Sequence, residues 1–443
     1  MDGGRRAGGM VSDATGQHLV QHPMRDLVLR EIHARPFQAM TTPRLVLHYA
    51  FSTDAVTTGL ARVDLVQRCE SLGVRAPDSH ANQHTVWIGS VRLRWETHSE
   101  ITTYTWDCPG NDPGNPLTLD DLFGTTFRQP GPLIVAARLD VVKDDAPAEA
   151  LLHGLDPGST AVSRMRDGRA IGATDFKLRA DGLTRILVVD RGLYPHEIGA
   201  LVQRLIELET YRTLALLGLP EARRLQPAIA RIELALLDTI QKMSTTPDLN
   251  ANRALLGKVT ELAAEVEMEV ALSSFRFGAS RAYDEIVKLR LRSIREAPLD
   301  GYTRWSSFLE RRMAPAMRTC QNVEARQQEL SIRIGRAANL LRTRIEVELE
   351  QQNRELLSSL NRRSKMQFRL QQWVEGLSVA AVSYYVVGLV SYLAAGAESA
   401  GWVDRYLVTA LAVPPVVLGI WWFVRRLRAR HGAHDDEDEA GRH

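Results

Sequence analysis

Apolar positions recur along this chain with different periods, and each period predicts a different kind of element. Between residues 44 and 190 strand signals dominate, as alternating or short apolar runs. RLVLHYAF (44–51) reads as a strand and residues 54–72 as a helix. In VRLRWETH, Val91, Leu93 and Trp95 alternate with arginines; ITTYTWD follows after a brief turn, so the two predict a hairpin. PLIVAARLDVV is a buried strand. MRDGRAIGATDF carries Asp167-Gly168 between two such runs, a hairpin turn signal, and TRILVVDRGL supplies one more strand. A mixed sheet with a few helices is therefore expected over 22–195, after a polar, glycine-rich and disordered stretch at 1–21. At the start of that domain HPMRDLVLREIHARP sets Leu27, Leu29 and Ile32 among charges, a short helix that ends before Pro36.

After Tyr194 the spacing turns helical. Ile198, Leu201, Val202, Leu205, Ile206 and Leu208 share a face, and Gly218 and Pro220 punctuate the pattern. ARRLQPAIARIELALLDTIQKM, a third helix over 252–274 and a fourth over 279–295 complete a helical region at 196–315, with a turn at 301–304. Between Pro315 and Pro414 there is no proline. The spacing predicts one helix of about 80 residues, some 120 Å long at about 1.5 Å per residue. Its lower part, 316–375, is a stalk. Leu349, Leu356, Leu370, Leu377 and Tyr384 recur on a seven-residue grid, with Leu360, Val374, Ala381 and Gly388 four further on. That is a coiled-coil-like seam, interrupted by Arg363 and Gln367, and it implies a partner helix.

Two uncharged runs then break the amphipathic pattern, 376–397 (GLSVAAVSYYVVGLVSYLAAGA) and 406–424 (YLVTALAVPPVVLGIWWFV). About 20 helical residues cross a hydrocarbon layer of about 30 Å, so both read as transmembrane helices joined in an antiparallel hairpin. Trp373, Tyr392, Trp402, Tyr406, Trp421 and Trp422 fall where the two interfaces should lie. Arg362, Arg363, Lys365 and Arg369 precede the first span; Arg425, Arg426, Arg428 and Arg430 follow the second; the connection holds only Arg405. Positive charge marks the cytoplasmic side. Both termini are thus expected in the cytoplasm of a bacterial inner membrane, with 425–443 a basic then acidic cytosolic tail whose end is solvated and disordered.

Composition narrows the chemistry. The chain has 443 residues, is 44% hydrophobic and carries a formal charge of +2. Only six of its 55 cations are lysine; the arginine excess follows from a GC-rich genome, and no basic stretch with interleaved aromatics points to nucleic acid. Three scattered cysteines form neither a disulfide framework nor a zinc site. No phosphate loop, nucleophile elbow or HExxH motif is present, so the sequence predicts neither an enzyme nor a bound cofactor.

Two polar groups stand out. His22, Glu31, His33 and Arg35 cluster around the first helix, either as a ligand-binding site or as caps and pairs of a surface helix. His80 and His84 have helical i, i+4 spacing but no third ligand, so no metal site is predicted. In the first span, Tyr384 and Tyr385 need hydrogen-bond partners at membrane depth. With Ser378, Ser383 and Ser391 they either pack helices or line a permeation path, and Pro414-Pro415 kinks the second span.

HPMRDLVLREIHARP, LLRTRIEVELEQQNRELLSSLNRR and WVEGLSVAAVSYYVVGLVSYL resemble, over nearly the whole chain, a bacterial family of uncharacterised membrane-anchored proteins, a domain of unknown function. That resemblance implies a location and no chemistry. The build, an α/β domain, a long stalk running into the first of two spans and a basic end, is also similar to CorA-type magnesium channels, as is Asn361 shortly before the first span. Such channels are homopentamers whose first span lines the pore. The likeness implies an α+β fold of CorA-like architecture and pore-lining candidates Arg363, Gln367, Tyr384, Tyr385, Gly388 and Tyr392. Their Gly-Met-Asn signature is absent, because Tyr392 is followed by Leu393, Ala394, Ala395 and Gly396. The expectation is a membrane-anchored homo-oligomer, an ion transporter of altered or lost selectivity. Its alternative is a non-transporting scaffold whose α/β domain recruits a cytosolic protein partner.

Overall fold

The computed structural model describes residues 10–12, 18–20, 22, 24, 25, 29, 37–78, 81–110, 119–125, 127–245, 248–399 and 404–440. The chain divides into two compact units, Met1–Thr245 with Leu255–Ala338, and Thr246–Ala254 with Asn339–His443.

The first unit is built on a nine-stranded mixed sheet. Strands β1 (Met10–Ser12) and β2 (His18–Val20) form a separate antiparallel pair, so the stretch expected to be disordered contains a small ribbon; Val11, Leu19 and Val20 are good strand formers. The main sheet comprises β3 (Arg44–Ser52), β4 (Gln83–Ile88), β5 (Val91–Thr97), β6 (Ile101–Pro109), β7 (Leu133–Lys143), β8 (Ala161–Met165), β9 (Ala170–Thr174), β10 (Thr184–Asp190) and the short β11 (Ala297–Pro298). Its order is β11-β8-β9-β10-β7-β3-β6-β5-β4, and only β7 and β10 run parallel. The strands expected between residues 44 and 190 are all present. In the β8–β9 hairpin Arg166, Asp167 and Gly168 all take positive φ, which the Asp-Gly pair signalled.

Alternation sorts the two faces. Leu45, Leu47, Tyr49 and Phe51 of β3, Leu93 and Trp95 of β5, and Tyr104 and Trp106 of β6 share an aromatic-rich core. Leu65 and Cys69 of helix α1 (Ala55–Ser71) and Leu122 and Phe123 of α2 (Leu119–Phe123) close it. Asp54 caps α1, its carboxylate accepting from the Thr57 amide at 2.8 Å. Helix α3 (Ala146–His153) contributes Ala148 to a smaller cluster with Leu187 and Val189. On the opposite face Val46, Leu139, Val141, Ile186 and Val188 meet Ile198, Leu201, Val202 and Leu205 of α4 (Pro195–Leu216).

Three further helices form a bundle: α5 (Gly218–Thr245), α6 (Leu249–Ser293) and α7 (Trp305–Ser399). Arg224–Glu269 at 2.7 Å joins α5 to α6 and Arg326–Glu233 at 2.7 Å joins α7 to α5. Two sequence expectations change here. The helices expected at 252–274 and 279–295 are one, since Phe277 is buried and the α6 helix passes Gly278 with open space where its Cβ would be. The long helix begins before Pro315 and runs 95 residues. Its start is capped by distant residues: Trp305 N–H donates to Ser163 Oγ (3.2 Å) and Ser306 N–H to Glu296 Oε1 (3.1 Å). Those partners satisfy first-turn amides that the local sequence leaves open.

In the second unit Leu341 and Ile345 of α7 are buried, and Asn252 donates to Glu348 at 3.3 Å. Helix α8 (Arg405–Ala440) continues through Pro414 and Pro415. The stretch expected to be a disordered tail stays helical to Ala440, no proline following Pro415 to stop the turn.

Candidate functional site

The second unit contains two helices long and apolar enough to cross a membrane, at the end of α7 and at Arg405–Arg426 of α8. Their apolar side chains are uncovered: Leu377, Leu389, Leu393, Leu407, Leu411 and Leu418 are all exposed. Arg405 Nε donates to Ser391 Oγ at 3.3 Å between the two helices' adjoining ends. At the far end of the apolar stretch of α8 the guanidinium groups of Arg425 and Arg426 lie over Trp421 and Trp422, 5.1 and 4.9 Å from the ring centres. Such pairs give an apolar helix end a polar rim.

At about 100° per residue, Tyr384, Gly388, Arg363, Tyr392, Tyr385 and Gln367 fall within an arc of about 100° on α7. Tyr384 and Tyr392 are each 78% exposed, and the rings of Tyr384 and Tyr385 meet edge to face at 6.0 Å. Ser383 and Ala394, the buried positions of that stretch, lie on the other side of the helix. Below the span the stalk exposes Leu356, Leu360, Met366, Phe368 and Leu370.

A different site lies inside the first unit, where the sheet reaches past α4. There the α4-facing side of β5 and β6 is polar: Arg92 pairs in register with Asp107, Arg94 with Thr105, and Glu96 with Thr103. With His48 of β3 and Val202, Ile206 and Thr210 of α4 these residues surround a cavity of about 80 Å³. Asp107 Oδ2 accepts from Arg92, while Arg44 stands 3.8 Å from Oδ1, beyond hydrogen-bond reach. Arg94 donates to Glu96 at 2.8 Å and to Gln203 at 3.4 Å. Thr103 Oγ1 and Asp107 Oδ1 are buried without a hydrogen bond.

His48 ties the two layers together, with Nδ1 2.8 Å from Thr105 Oγ1 and Nε2 3.0 Å from Thr210 Oγ1. Burial, then the charges of His98 and Arg94, push its pKa down to about 3, so the ring is neutral. Burial also raises the Asp107 carboxyl and lowers the Arg92 guanidinium, more than their attraction for each other offsets.

The other residues singled out from the sequence are not gathered into a site by the described structure. His22 Nδ1 accepts from the Met24 amide at 3.1 Å, a local cap; Glu31, His33 and Arg35 lie outside the described residues. His84 lies on β4, where strand geometry ends the helical i, i+4 argument, and its Nε2–H donates to the Arg75 carbonyl at 2.8 Å; His80 lies outside the described residues. Among the described residues no three His, Cys, Asp or Glu side chains converge to hold a metal ion. The polar cavity went unnoticed in the sequence, although its signal was there. Arginines alternating with Leu93 and Trp95 look like a solvated strand face until a helix from residue 195 onward covers them.

No curated protein and no solved structure matches the chain. A family profile described as "Protein of unknown function (DUF3422)" matches residues 20–431, and the chain belongs to that family.

Proposed function

We propose that this DUF3422 member is a membrane-anchored homo-oligomer of CorA-like build whose axis forms an ion path of altered or lost selectivity. The observation that carries the reading is an arc of about 100° within the exposed face of α7. It holds Arg363, Gln367, Tyr384, Tyr385, Gly388 and Tyr392 and continues from an equally uncovered apolar stalk. In this reading the stalk leucines pack copy against copy, and the tyrosine arc turns inward, where phenols find partners or water. The arginines flanking both spans hold the termini in the cytoplasm of a bacterial inner membrane. A path of this composition differs from a magnesium filter. Leu393 to Gly396 offer no side-chain carbonyl to replace hydration water, and a ring of Arg363 guanidinium groups opposes cations.

The experiment joins mass in mild detergent to ion flux in liposomes. The reading expects a closed ring of several copies and flux that changes on Tyr384→Phe or Arg363→Ala. A monomer or dimer contradicts it. A second reading, a non-transporting scaffold recruiting a cytosolic protein, draws on the α/β domain itself. Val56, Leu60 and Val63 form an exposed apolar stripe on α1, the kind of surface that marks protein contacts. It expects a stable assembly with no flux above protein-free liposomes, and both variants silent.

A further inference from the structure

An open groove of about 800 Å³ lies in the first unit where the chain leaves α3, and its chemistry is independent of whether the membrane hairpin conducts ions. The loop at 155–160, which leads into β8, forms one side; the turn at 301–303 and the first turns of α7 form the other. Backbone bonds hold the two sides together. Val162 N–H donates to the Thr303 carbonyl at 2.9 Å, and Gly301 takes a φ of +81°, open to glycine, as the chain turns back toward α7.

The charge of the groove is one-sided. Arg311 and Arg312 both line it, and among the described residues no carboxylate does. Arg311 Nε donates to the Ser307 carbonyl at 3.2 Å, and its Nη2 reaches Thr303 Oγ1 only at 3.5 Å. Arg312 sets its guanidinium 4.5 Å from the centre of the Phe308 ring. Ser307 and Phe308 each lie four residues earlier, so both side chains lean back one turn and stand side by side. Neither arginine meets a carboxylate among the described residues, whereas Arg281 pairs with Glu324 and Arg326 with Glu233. Asp156, the acid of the loop, is held by Lys177 and by the Gly158 amide. Asp300 and Glu310, close by in sequence, do not line the groove.

Two uncompensated guanidinium groups ask for an anion with more than one charge. A phosphate monoester carries about −1.5 to −2 at pH 7 and three terminal oxygens, and the guanidinium fork matches those oxygens in pairs. A carboxylate would leave one of the two arginines unmatched. Room remains beyond the phosphate, since small-molecule sites commonly enclose about 300–1,000 Å³. Ser159, Thr160, Tyr302 and Thr303 line that room with hydroxyls, and Leu152 and Phe308 add apolar surface. A hydroxylated body suits such a wall better than a hydrocarbon one. We infer that this groove binds a small phosphate monoester of sugar-phosphate type, its phosphate on Arg311 and Arg312 and its hydroxyls along the 155–160 loop and the 301–303 turn.

The test is calorimetric titration of the full-length chain in detergent with glucose 6-phosphate, glucose and sodium phosphate. Glucose lacks the phosphate, and inorganic phosphate lacks the hydroxylated body. Saturable binding of glucose 6-phosphate at least tenfold tighter than either is expected. Arg311→Gln combined with Arg312→Gln alters two exposed side chains; it should weaken that binding at least tenfold while thermal unfolding without ligand still shows a folded chain. Arg336→Gln removes an exposed arginine further along α7 that does not line the groove, and should leave binding unchanged. No saturable binding of glucose 6-phosphate overturns the assignment. So does equally tight binding of glucose or inorganic phosphate, undiminished binding to the folded double variant, or an equal loss in Arg336→Gln.

Discussion

Replacing His48 with glutamine removes an imidazole that bridges the sheet to α4 and keeps a side chain able to donate and accept. In the folded chain the ring titrates near 3 because it is buried, with His98 and Arg94 adding to the effect; free of the fold it titrates near 6.5. Between these values the unfolded chain holds a proton that the folded chain does not. Stability is then complete above about pH 6.5 and falls as pH drops through the window. One proton is worth about 1.4 kcal/mol per pH unit. Moving from pH 7 to pH 5 therefore removes about 2 kcal/mol through this residue alone. Glu197, held down to about 2 first by its hydrogen bond from Arg169, changes only below this window, and carboxyls raised by burial, such as Asp107, cancel in the comparison of the two proteins. Urea unfolding of the full chain in detergent, followed by tryptophan fluorescence at pH 7 and pH 5, measures the difference. His48→Gln should be less stable at pH 7 and flatter with pH by about 2 kcal/mol. Equal pH slopes in the two proteins, or a His48 C2 proton that titrates near 6.5 by NMR, would refute the reasoning.

Other substitutions test the packing and the assembly. Gly199→Ala places a methyl 1.7 Å from the Gln38 carbonyl oxygen and should lower stability by about 1–3 kcal/mol. Gly257→Ala, on an open face of α6, should raise it by about 1 kcal/mol; thermal unfolding reads both. Trp305→Phe leaves the Gly172 carbonyl without the indole N–H that reaches it at 3.0 Å, a loss of about 1–3 kcal/mol visible in the same assay. Leu356→Lys with Leu370→Lys, both exposed in the single chain, should leave unfolding of the first unit unchanged and lower the mass of the assembly in light scattering.

The strands of the sheet were legible because side chains on β5 alternate, β3 and β7 are short apolar runs, and Asp167-Gly168 announced its turn. The end of the long helix was legible because no proline interrupts residues 316–413. Its beginning was not. Pro315 reads as a boundary, while the true start depends on Ser163 and Glu296, which meet Trp305 and Ser306 only once the chain has folded. Strand β4 escaped because the histidine spacing of His80 and His84 suggested a helix, and pairing with β5 outweighs that local hint. The alternating arginines of β5 signalled a polar strand face but not its burial: the cavity's polar wall comes from β3, β5 and β6, and the cover comes from α4, about a hundred residues away.

Vesicle flotation tests the membrane anchor most directly. Full-length chain reconstituted with phospholipid should float with the vesicles after an alkaline carbonate wash, and a chain ending at residue 375 should stay at the bottom of the gradient. A full-length protein that is washed off the vesicles, or that stays monodisperse in water without detergent, would contradict the account.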